Sequence, residues 1–101
     1  MENADIRLLT KSSDLDGGFF IVLKLYQAEW CPFCARVRMK MTELGITYIN
    51  VNVPRGKADR TELIQVSGQS GIPTLVDGDL IIADDDEKII EHLEKNYAGG
   101  K

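Results

Sequence analysis

The chain has 101 residues, of which 44% are apolar and 28% charged, and its formal net charge is −4 with a pI near 4.9. Such a chain suits one ordinary globular domain, which excludes collagen-like repeats, disorder and a disulfide-dense scaffold, and its acidity argues against nucleic acid as a partner. With no apolar run near the ~20 residues of a membrane span and no basic, apolar leader, the sequence predicts a cytoplasmic protein that does not bind membranes.

A polar arm and a first strand begin the chain. Residues 1–18 end in a polar run and a glycine pair, which predicts a flexible N-terminal arm. Phe19 to Tyr26 is almost wholly apolar, aromatic or β-branched, which predicts a strand buried on both faces. We therefore expect the domain to span residues 19–97 and residues 98–101 to form a frayed tail.

A helix and a second strand follow. From Pro32 to Leu44 apolar residues recur at intervals of three and four, which predicts an amphipathic helix, and Gly45 suits the position just past its end. Ile46 to Val53 alternates apolar and polar residues, which predicts a strand that stops before Pro54. Strand, helix and strand in this order predict a βαβ unit with two parallel strands.

The next segment predicts a short helix and a hairpin. Asp59 and Glu62 have the spacing of a capping box for a helix that ends at Gly68. Asp-Gly-Asp at 77–79 separates two β-branched runs, which predicts an antiparallel pair of strands.

A last helix is expected to begin near the three aspartates at 84–86, because aspartate favours helix N-termini. Its expected buried residues are Ile89, Ile90, Leu93 and Tyr97. His92, on the same helix, is expected at the surface and outside the catalytic site. The whole order, β-α-β-α-β-β-α, predicts an α/β fold with a four-stranded mixed sheet and helices on both of its faces.

The cysteines Cys31 and Cys34 are spaced C-x-x-C at the turn from the first strand into the first helix. A thiol at a helix N-terminus faces unpaired N–H groups and the positive end of the dipole, so its thiolate is favoured. Cys31 is therefore expected to be exposed and to act as the nucleophile. Cys34, one turn further along the apolar face, is expected to be buried, less ionised and able to resolve a mixed disulfide on Cys31.

Other roles for these residues compete with redox chemistry. A structural zinc site needs about four ligands, and one histidine and one cysteine pair fall short of that number, so no metal is expected. Packing alone would account for Cys34 but not for a cysteine at an exposed turn such as Cys31. Trp30 would either line a ligand or docking surface or pack at the sheet edge, and both possibilities stay open.

Three motifs follow one another in order: Cys31-Pro32-Phe33-Cys34, then Gly71-Ile72-Pro73, then the aspartates that open the last helix. From Tyr26 to Tyr97 this order resembles glutaredoxins, which have the thioredoxin fold. The chain is also similar to the glutathione-binding N-terminal domain of glutathione S-transferases.

The resemblance implies a glutathione-dependent thiol–disulfide oxidoreductase, monomeric, with glutathione as co-substrate and disulfide-containing or glutathionylated proteins as partners. It implies a cis peptide bond before Pro73 and an apolar wall at Phe33. Ile72 would pair its backbone with the cysteinyl part of glutathione, and Asp85 and Asp86 would bind the γ-glutamyl end. A simple capping role for the two aspartates is compatible with this.

Several alternatives remain open at this stage. The same thiols would also serve a thioredoxin-like system with another reductant, or a binding module without turnover. The resemblance further suggests an iron–sulfur carrier in which Cys31 of two subunits and two glutathiones hold the cluster, although the neighbouring Cys34 makes this less attractive. For the glycyl carboxylate of glutathione, Arg55, Arg60 and Gln65 are candidates, and each is equally well explained as solvated surface.

Overall fold

The computed structural model describes residues 22–98, which form one four-stranded sheet, three α-helices and a short 3₁₀ helix. The predicted element order is confirmed. The predicted arm at 1–18, residues 19–21 of the predicted first strand and residues 99–101 of the predicted tail lie outside the described residues. The elements are β1 (Leu23–Gln27), α1 (Pro32–Glu43), β2 (Ile49–Asn52), the 3₁₀ helix (Lys57–Asp59), α2 (Thr61–Ser67), β3 (Thr74–Asp77), β4 (Leu80–Ala83) and α3 (Asp86–Tyr97).

The strands lie in the order β2-β1-β3-β4. β1 is parallel to β2 and antiparallel to β3, and β3 and β4 form the predicted antiparallel hairpin, closed where Gly78 has a left-handed φ of 62°. Tyr26, near the end of β1, pairs with Thr74, the first residue of β3. This register brings the loop after β1 next to the loop before β3, and so brings the cysteine motif to the Ile72-Pro73 motif.

The sheet separates two layers of helix. Leu23 and Leu25 point toward α1 and α3, and the core on this face consists of Leu23, Leu25, Val37, Met41, Leu75, Ile89 and Leu93. Tyr26 points to the opposite face, where its hydroxyl donates to Oε2 of Glu62 on α2 at 2.6 Å. Helices therefore cover both faces, as the element order predicts. Of the helices in residues 22–98, none has the length and apolar character that crossing a membrane requires.

The second strand is shorter than the sequence predicts. It spans Ile49–Asn52 rather than Ile46–Val53, because β2 lies at the sheet edge and pairs only with the stretch Lys24–Gln27 of β1. Ile46 instead donates its N–H to the Met41 carbonyl at 2.9 Å and packs against the core. The alternation of apolar and polar residues over Ile46 to Val53 indicated a strand, but the partner strand decides how many of these residues are paired.

The predicted capping box at Asp59 does not form. Asp59 is the last residue of the 3₁₀ helix, and Arg60 occupies the N-cap of α2 without a side-chain hydrogen bond to the helix. The Asp59 N–H donates to the Gly56 carbonyl at 3.0 Å, which closes a separate turn one residue too early for capping. Pro54 and Gly56 thus lead into a tight turn that the helical pattern alone did not predict.

The prediction that His92 is a surface residue is wrong. Its side chain is only 17% exposed, and its Nε2 lies 2.8 Å from Oδ2 of Asp77. The hydroxyl of Tyr97 donates to the same carboxylate oxygen at 2.8 Å. The cause is tertiary: α3 packs across the far end of β3, so the helix face that carries His92 and Tyr97 meets the end of a strand instead of water.

Candidate redox site

Cys31 occupies the N-cap of α1, with extended backbone angles (φ −87°, ψ 118°) and Pro32 as the first helical residue. Its sulfur accepts a hydrogen bond from the Cys34 N–H at 3.4 Å. The Cys31 N–H donates to the Ala28 carbonyl at 3.2 Å, which fixes the loop between strand and helix. The sulfur therefore lies at the positive end of the helix, where unpaired N–H groups stabilise a thiolate.

Cys31 is buried, contrary to the expectation of an exposed turn. Only 6% of the residue is accessible, because Ala28, Cys31 and Cys34 form a small apolar cluster against which Ile72 packs. The loop before β3 covers the thiol, and its position depends on strand pairing that is remote in sequence. Both cysteines are free thiols. Ile72 of this loop therefore restricts the access of a reactant to Cys31.

Cys34 lies one helical turn deeper and has no accessible surface. Burial raises the pKa of the Cys34 thiol to about 12, and the neighbouring Cys31 sulfur adds to the rise, while the Ala28 backbone and Arg38 act in the opposite direction. Cys34 thus remains protonated at neutral pH. The predicted difference between a sulfur at the helix N-terminus and a buried, un-ionised thiol is confirmed.

Ile72 and Pro73 border the redox pair. Their peptide bond is cis, as the resemblance implied. Within residues 22–98, the backbone N–H and C=O of Ile72 make no hydrogen bond. A loop that ends in a strand and leaves such groups unpaired is suited to receive an extended peptide as an additional short strand.

A cavity of about 180 Å³ opens beside this loop. Three of the predicted site residues, Phe33, Ile72 and Pro73, form its apolar side, and Phe33 is more than half exposed. Asp84 and Asp86 form its acidic side. The cavity therefore joins an apolar wall next to the cysteines to a pair of carboxylates at the start of α3.

The carboxylates in the cavity are not the pair predicted from the sequence. Asp85 has extended backbone angles at the N-cap of α3, and its side chain accepts from the Lys88 N–H at 3.1 Å. Asp84 lines the cavity instead, with an unusual left-handed φ of 55°, and its N–H donates to the Pro73 carbonyl at 2.9 Å. The left-handed Asp84, the extended Asp85 and the helical Asp86 thus direct Asp85 onto the helix, while Asp84 and Asp86 line the cavity.

Gly71 makes room for Asp84. A Cβ at Gly71 would overlap the Asp84 side chain, so the loop before Pro73 and the residue before α3 fit together only if position 71 is glycine. The sequence indicated Gly71 as part of a motif but gave no signal that Asp84 was its partner.

Arg36 on α1 pairs with one of the carboxylates that line the cavity. Its guanidinium contacts Asp86, whose side chain is largely buried whereas that of Arg36 is about half exposed. A half-exposed guanidinium beside the carboxylates of the cavity offers both a cation and anions to a zwitterionic ligand. Helical periodicity could not find this role, because the pairing joins α1 to α3.

Trp30 stands exposed immediately before Cys31, and Arg55 lies over its ring with the guanidinium carbon 4.4 Å from the ring centroid. Such cation–π contacts hold an arginine against an aromatic face without neutralising it. Trp30 is therefore about half exposed beside the redox site, and its role as a ligand or docking surface stays a prediction.

A network of polar side chains supports the loop between β1 and α1. Gln27 is fully buried, accepts a hydrogen bond from Arg38 through its Oε1, and donates to Oδ1 of Asn52 at 2.7 Å. Arg38 also approaches Glu29, at 3.6 Å. This network ties α1 and β2 to the last residue of β1, just before the cysteine loop. In the described part of the chain, no group of three or more His, Cys, Asp or Glu side chains is arranged to hold a metal ion.

Comparison with known proteins connects this site to two kinds of protein. Residues 25–101 match the family described as glutathione S-transferase, N-terminal domain. An uncharacterized glutaredoxin-like 8.6 kDa protein of the rubredoxin operon of Clostridium pasteurianum is 29% identical over 75 residues, which cover 73% of this chain and 100% of the relative. Glutathione S-transferase Z2 of Arabidopsis thaliana is 37% identical over 78 residues, covering 74% of this chain and 34% of the relative.

The solved structures agree with these relatives. A glutathione transferase homologue from Drosophila mojavensis, crystallised with bound glutathione, has a TM-score of 0.70 at 25% identity over 78% of this chain and 36% of that chain. The fold is thus thioredoxin-like, as predicted. The chain spans about a third of the length of the transferases that it matches, and the whole length of the small glutaredoxin-like relative.

Proposed function

We propose, because the chain belongs to the family of glutathione S-transferase N-terminal domains, that it is a glutathione-dependent thiol–disulfide oxidoreductase. The observation that carries this proposal is the unequal pair of cysteines. Cys31 accepts a helix N–H at its sulfur, and Cys34 is buried and protonated one turn away. A simple ligand-binding domain would need neither thiol, whereas disulfide exchange needs one sulfur that attacks and one that resolves.

In the proposed reaction, the Cys31 thiolate attacks the glutathionyl sulfur of a mixed disulfide. The bond to the substrate sulfur breaks, the substrate leaves as a thiolate that takes up a proton, and Cys31 carries glutathione. A second glutathione, as thiolate, then attacks the glutathionyl sulfur and leaves as glutathione disulfide, which restores the Cys31 thiolate. The net change is one glutathione and one mixed disulfide converted to a free thiol and glutathione disulfide.

Protein disulfides would use Cys34 for the second step. The adjacent Cys31 sulfur is one of the causes that raise the pKa of Cys34. Once Cys31 is part of a mixed disulfide it carries no charge, so the Cys34 thiol loses its proton more readily at the step in which it must attack. Its sulfur then displaces the substrate thiolate and closes a Cys31–Cys34 disulfide.

The proposed ligand position follows the polarity of the groove. The unpaired backbone groups of Ile72 suit the cysteinyl part of glutathione, and Asp84, Asp86 and Arg36 suit the ammonium and carboxylate of its γ-glutamyl end. For the glycyl carboxylate the sequence left three candidates. Arg55 is the one that lies over Trp30 beside Cys31, so we assign the carboxylate to Arg55.

Turnover of a small glutathione mixed disulfide tests this function directly. We expect the protein to reduce it with glutathione, and Cys31→Ser to lower the rate by about a hundredfold or more, because the other cysteine, Cys34, is fully buried and protonated. Cys34→Ser should keep this activity but lose the reduction of protein disulfides. Turnover that survives Cys31→Ser would refute the assignment. Activity with thioredoxin reductase but not with glutathione would leave the roles of Cys31 and Cys34 unchanged but would show that glutathione is not the reductant.

A transferase activity is the second candidate, because glutathione S-transferase Z2 of Arabidopsis thaliana is 37% identical, higher than the identity of the glutaredoxin-like protein. In a transferase the glutathione thiolate attacks an electrophile and forms a thioether, so neither cysteine of the protein has to change its bonding. Conjugation of glutathione to 1-chloro-2,4-dinitrobenzene that is unaffected by Cys31→Ser would favour this candidate over disulfide exchange.

A further inference from the structure

Arg60 is a buried cation whose hydrogen-bond partners within residues 22–98 are main-chain carbonyls. Only 3% of the residue is accessible. Its Nε donates to the Pro54 carbonyl at 2.7 Å, one terminal nitrogen donates to the Ser70 carbonyl at 2.8 Å, and the other donates to the Arg55 carbonyl at 3.1 Å. In the described part of the chain all of its recorded partners are main-chain carbonyls. The sequence had placed Arg60 among solvated candidates for ligand binding, and its burial excludes both of those roles.

An arrangement of this kind needs a physical reason. Removing a guanidinium from water is costly unless its N–H groups are satisfied, and an anionic partner normally contributes to that compensation. Here the planar, forked head reaches carbonyls on two separate stretches of chain, which the single point charge of a lysine would not reproduce. The guanidinium thus acts as a cross-link between residues 54–55 and residue 70.

Both stretches border the redox pair. Residues 54–55 carry the Arg55 side chain that lies over Trp30, next to Cys31. Ser70 leads directly into Gly71, Ile72 and Pro73, which cover the thiols and line the cavity. The distance between these two loops therefore sets the spacing between the Arg55 guanidinium and the unpaired backbone of Ile72.

The loop before Pro73 has its own internal support. The Gln69 side chain accepts from the Gly71 N–H at 2.6 Å and donates to Oγ1 of Thr74 at 3.2 Å. These bonds hold the shape of the loop whether or not Arg60 is present. What Arg60 adds is the position of this loop relative to the one that carries Arg55.

We infer that Arg60 is a positioning residue that sets the spacing of the two loops around Cys31 and so determines the affinity for glutathione, without contact to the ligand. The inference rests on the proposed function, since it assigns both loops to the glutathione site. It places the effect of Arg60 on binding rather than on the thiol, because Arg60 donates to neither cysteine.

The test compares Arg60→Met and Arg60→Lys with wild type. The control is Lys57→Met, which removes an exposed cation from the neighbouring 3₁₀ helix. Calorimetry measures binding of S-methylglutathione, which cannot undergo exchange. Alkylation measures the reactivity of Cys31, and the fluorescence of Trp30, the single tryptophan, reports whether Arg55 still covers its ring.

We expect Arg60→Met to weaken binding by about tenfold and to change the Trp30 emission, with Cys31 alkylation within about twofold of wild type. Turnover should show a raised KM for glutathione and a nearly unchanged kcat. Arg60→Lys should fall between wild type and Arg60→Met, and Lys57→Met should match wild type.

Wild-type affinity or unchanged Trp30 emission in a folded Arg60→Met protein would overturn the inference. If Arg60→Met does not fold, the same two measurements on Arg60→Lys replace it as the test. If neither variant folds, the inference is overturned in favour of a purely structural role for Arg60. A wild-type protein that binds S-methylglutathione but does not reduce mixed disulfides would refute the proposed activity alone. A wild-type protein that does not bind it would overturn both.

Discussion

At the scale of single residues, Cys31 and Cys34 lie three positions apart in the chain but in different chemical environments. Cys31 lies at the N-cap of α1, where its sulfur accepts a hydrogen bond from the Cys34 N–H, whereas Cys34 has no accessible surface. Complete burial is the main cause that raises the pKa of Cys34 to about 12. Cys31 instead has the positive end of a helix beside its sulfur, which favours a negative charge there.

The buried thiol predicts a selective alkylation pattern. Because its pKa is about 12, Cys34 carries very little thiolate at pH 8. In the Cys31→Ser variant, burial, the main cause of the raised pKa, remains, so iodoacetamide should modify Cys34 far more slowly in the folded protein than in denaturant, where an ordinary thiol pKa applies. Mass spectrometry of the timed reaction measures both rates. Equal rates in the two states would show that Cys34 is neither buried nor protonated.

Gly71 and Asp84 predict a coupled pair of substitutions. Gly71→Ala should displace the Asp84 carboxyl group and the adjoining loop, lowering thermal stability and raising the KM for glutathione. Asp84→Gly removes the overlapping atoms and also suits the left-handed φ at that position, so adding Gly71→Ala to this variant should cost much less. A double-mutant cycle measures the coupling. Additive effects would contradict the proposed contact.

At the scale of elements, the N-terminus of α3 divides its aspartates between capping and the cavity. Asp85 stabilises the helix through the Lys88 N–H, and Asp86 lines the cavity and pairs with Arg36. Neighbouring residues thus cap the helix and line the cavity separately, although the sequence offers three identical side chains in a row.

This division predicts different phenotypes for adjacent aspartates. Asp85→Ala should lower the free energy of unfolding by about 1 kcal/mol, the usual contribution of an N-cap, with little change in the KM for glutathione. Asp86→Asn should raise the KM for glutathione and leave the free energy of unfolding nearly unchanged. Glu91→Ala, at an exposed position on the same helix, controls for the loss of a charge. Denaturant unfolding and steady-state kinetics measure the two effects, and a raised KM in Asp85→Ala with unchanged stability would reverse the assignment.

At the scale of the whole molecule, two tyrosines, one buried and one partly buried, connect the layers. Tyr26 joins the sheet to α2 through Glu62, and Tyr97 joins α3 to the end of β3 through Asp77. Burial, together with the adjacent carboxylate in each case, raises the pKa of Tyr26 and the pKa of Tyr97 to about 12. Each phenol donates a hydrogen bond to a carboxylate. Ionisation of the phenol would therefore place two negative charges side by side.

These tyrosines predict a loss of stability at alkaline pH. The unfolded chain releases their protons near pH 10, whereas the folded protein keeps them to about pH 12. Their contribution is complete below about pH 10, and between these values the free energy of unfolding falls by up to about 1.4 kcal/mol per pH unit for each tyrosine. Urea unfolding at several pH values measures the slope. The double variant Tyr26→Phe, Tyr97→Phe should flatten it, and an unchanged slope would assign the loss to other groups.

The sequence by itself determined the order and type of the strands and α-helices in residues 22–98, because periodicity, Pro32 and the hairpin signal act within one segment. It also determined the asymmetry of the cysteines, since the start of a helix is a local feature. Burial of Ile89 and Leu93 followed from the same helical spacing. Each of these conclusions depends on residues only a few positions apart in the chain.

Only the tertiary structure decided which residues meet at the site. The burial of Cys31 depends on the loop before β3, the place of Asp84 on Gly71, and the burial of Arg60 on carbonyls of two loops. His92 became half-buried because α3 crosses the end of β3. The pairing of β1 with β3 joins segments about fifty residues apart. Local pattern carries no information on such contacts, because their partners are fixed only when the strands pair and the helices pack.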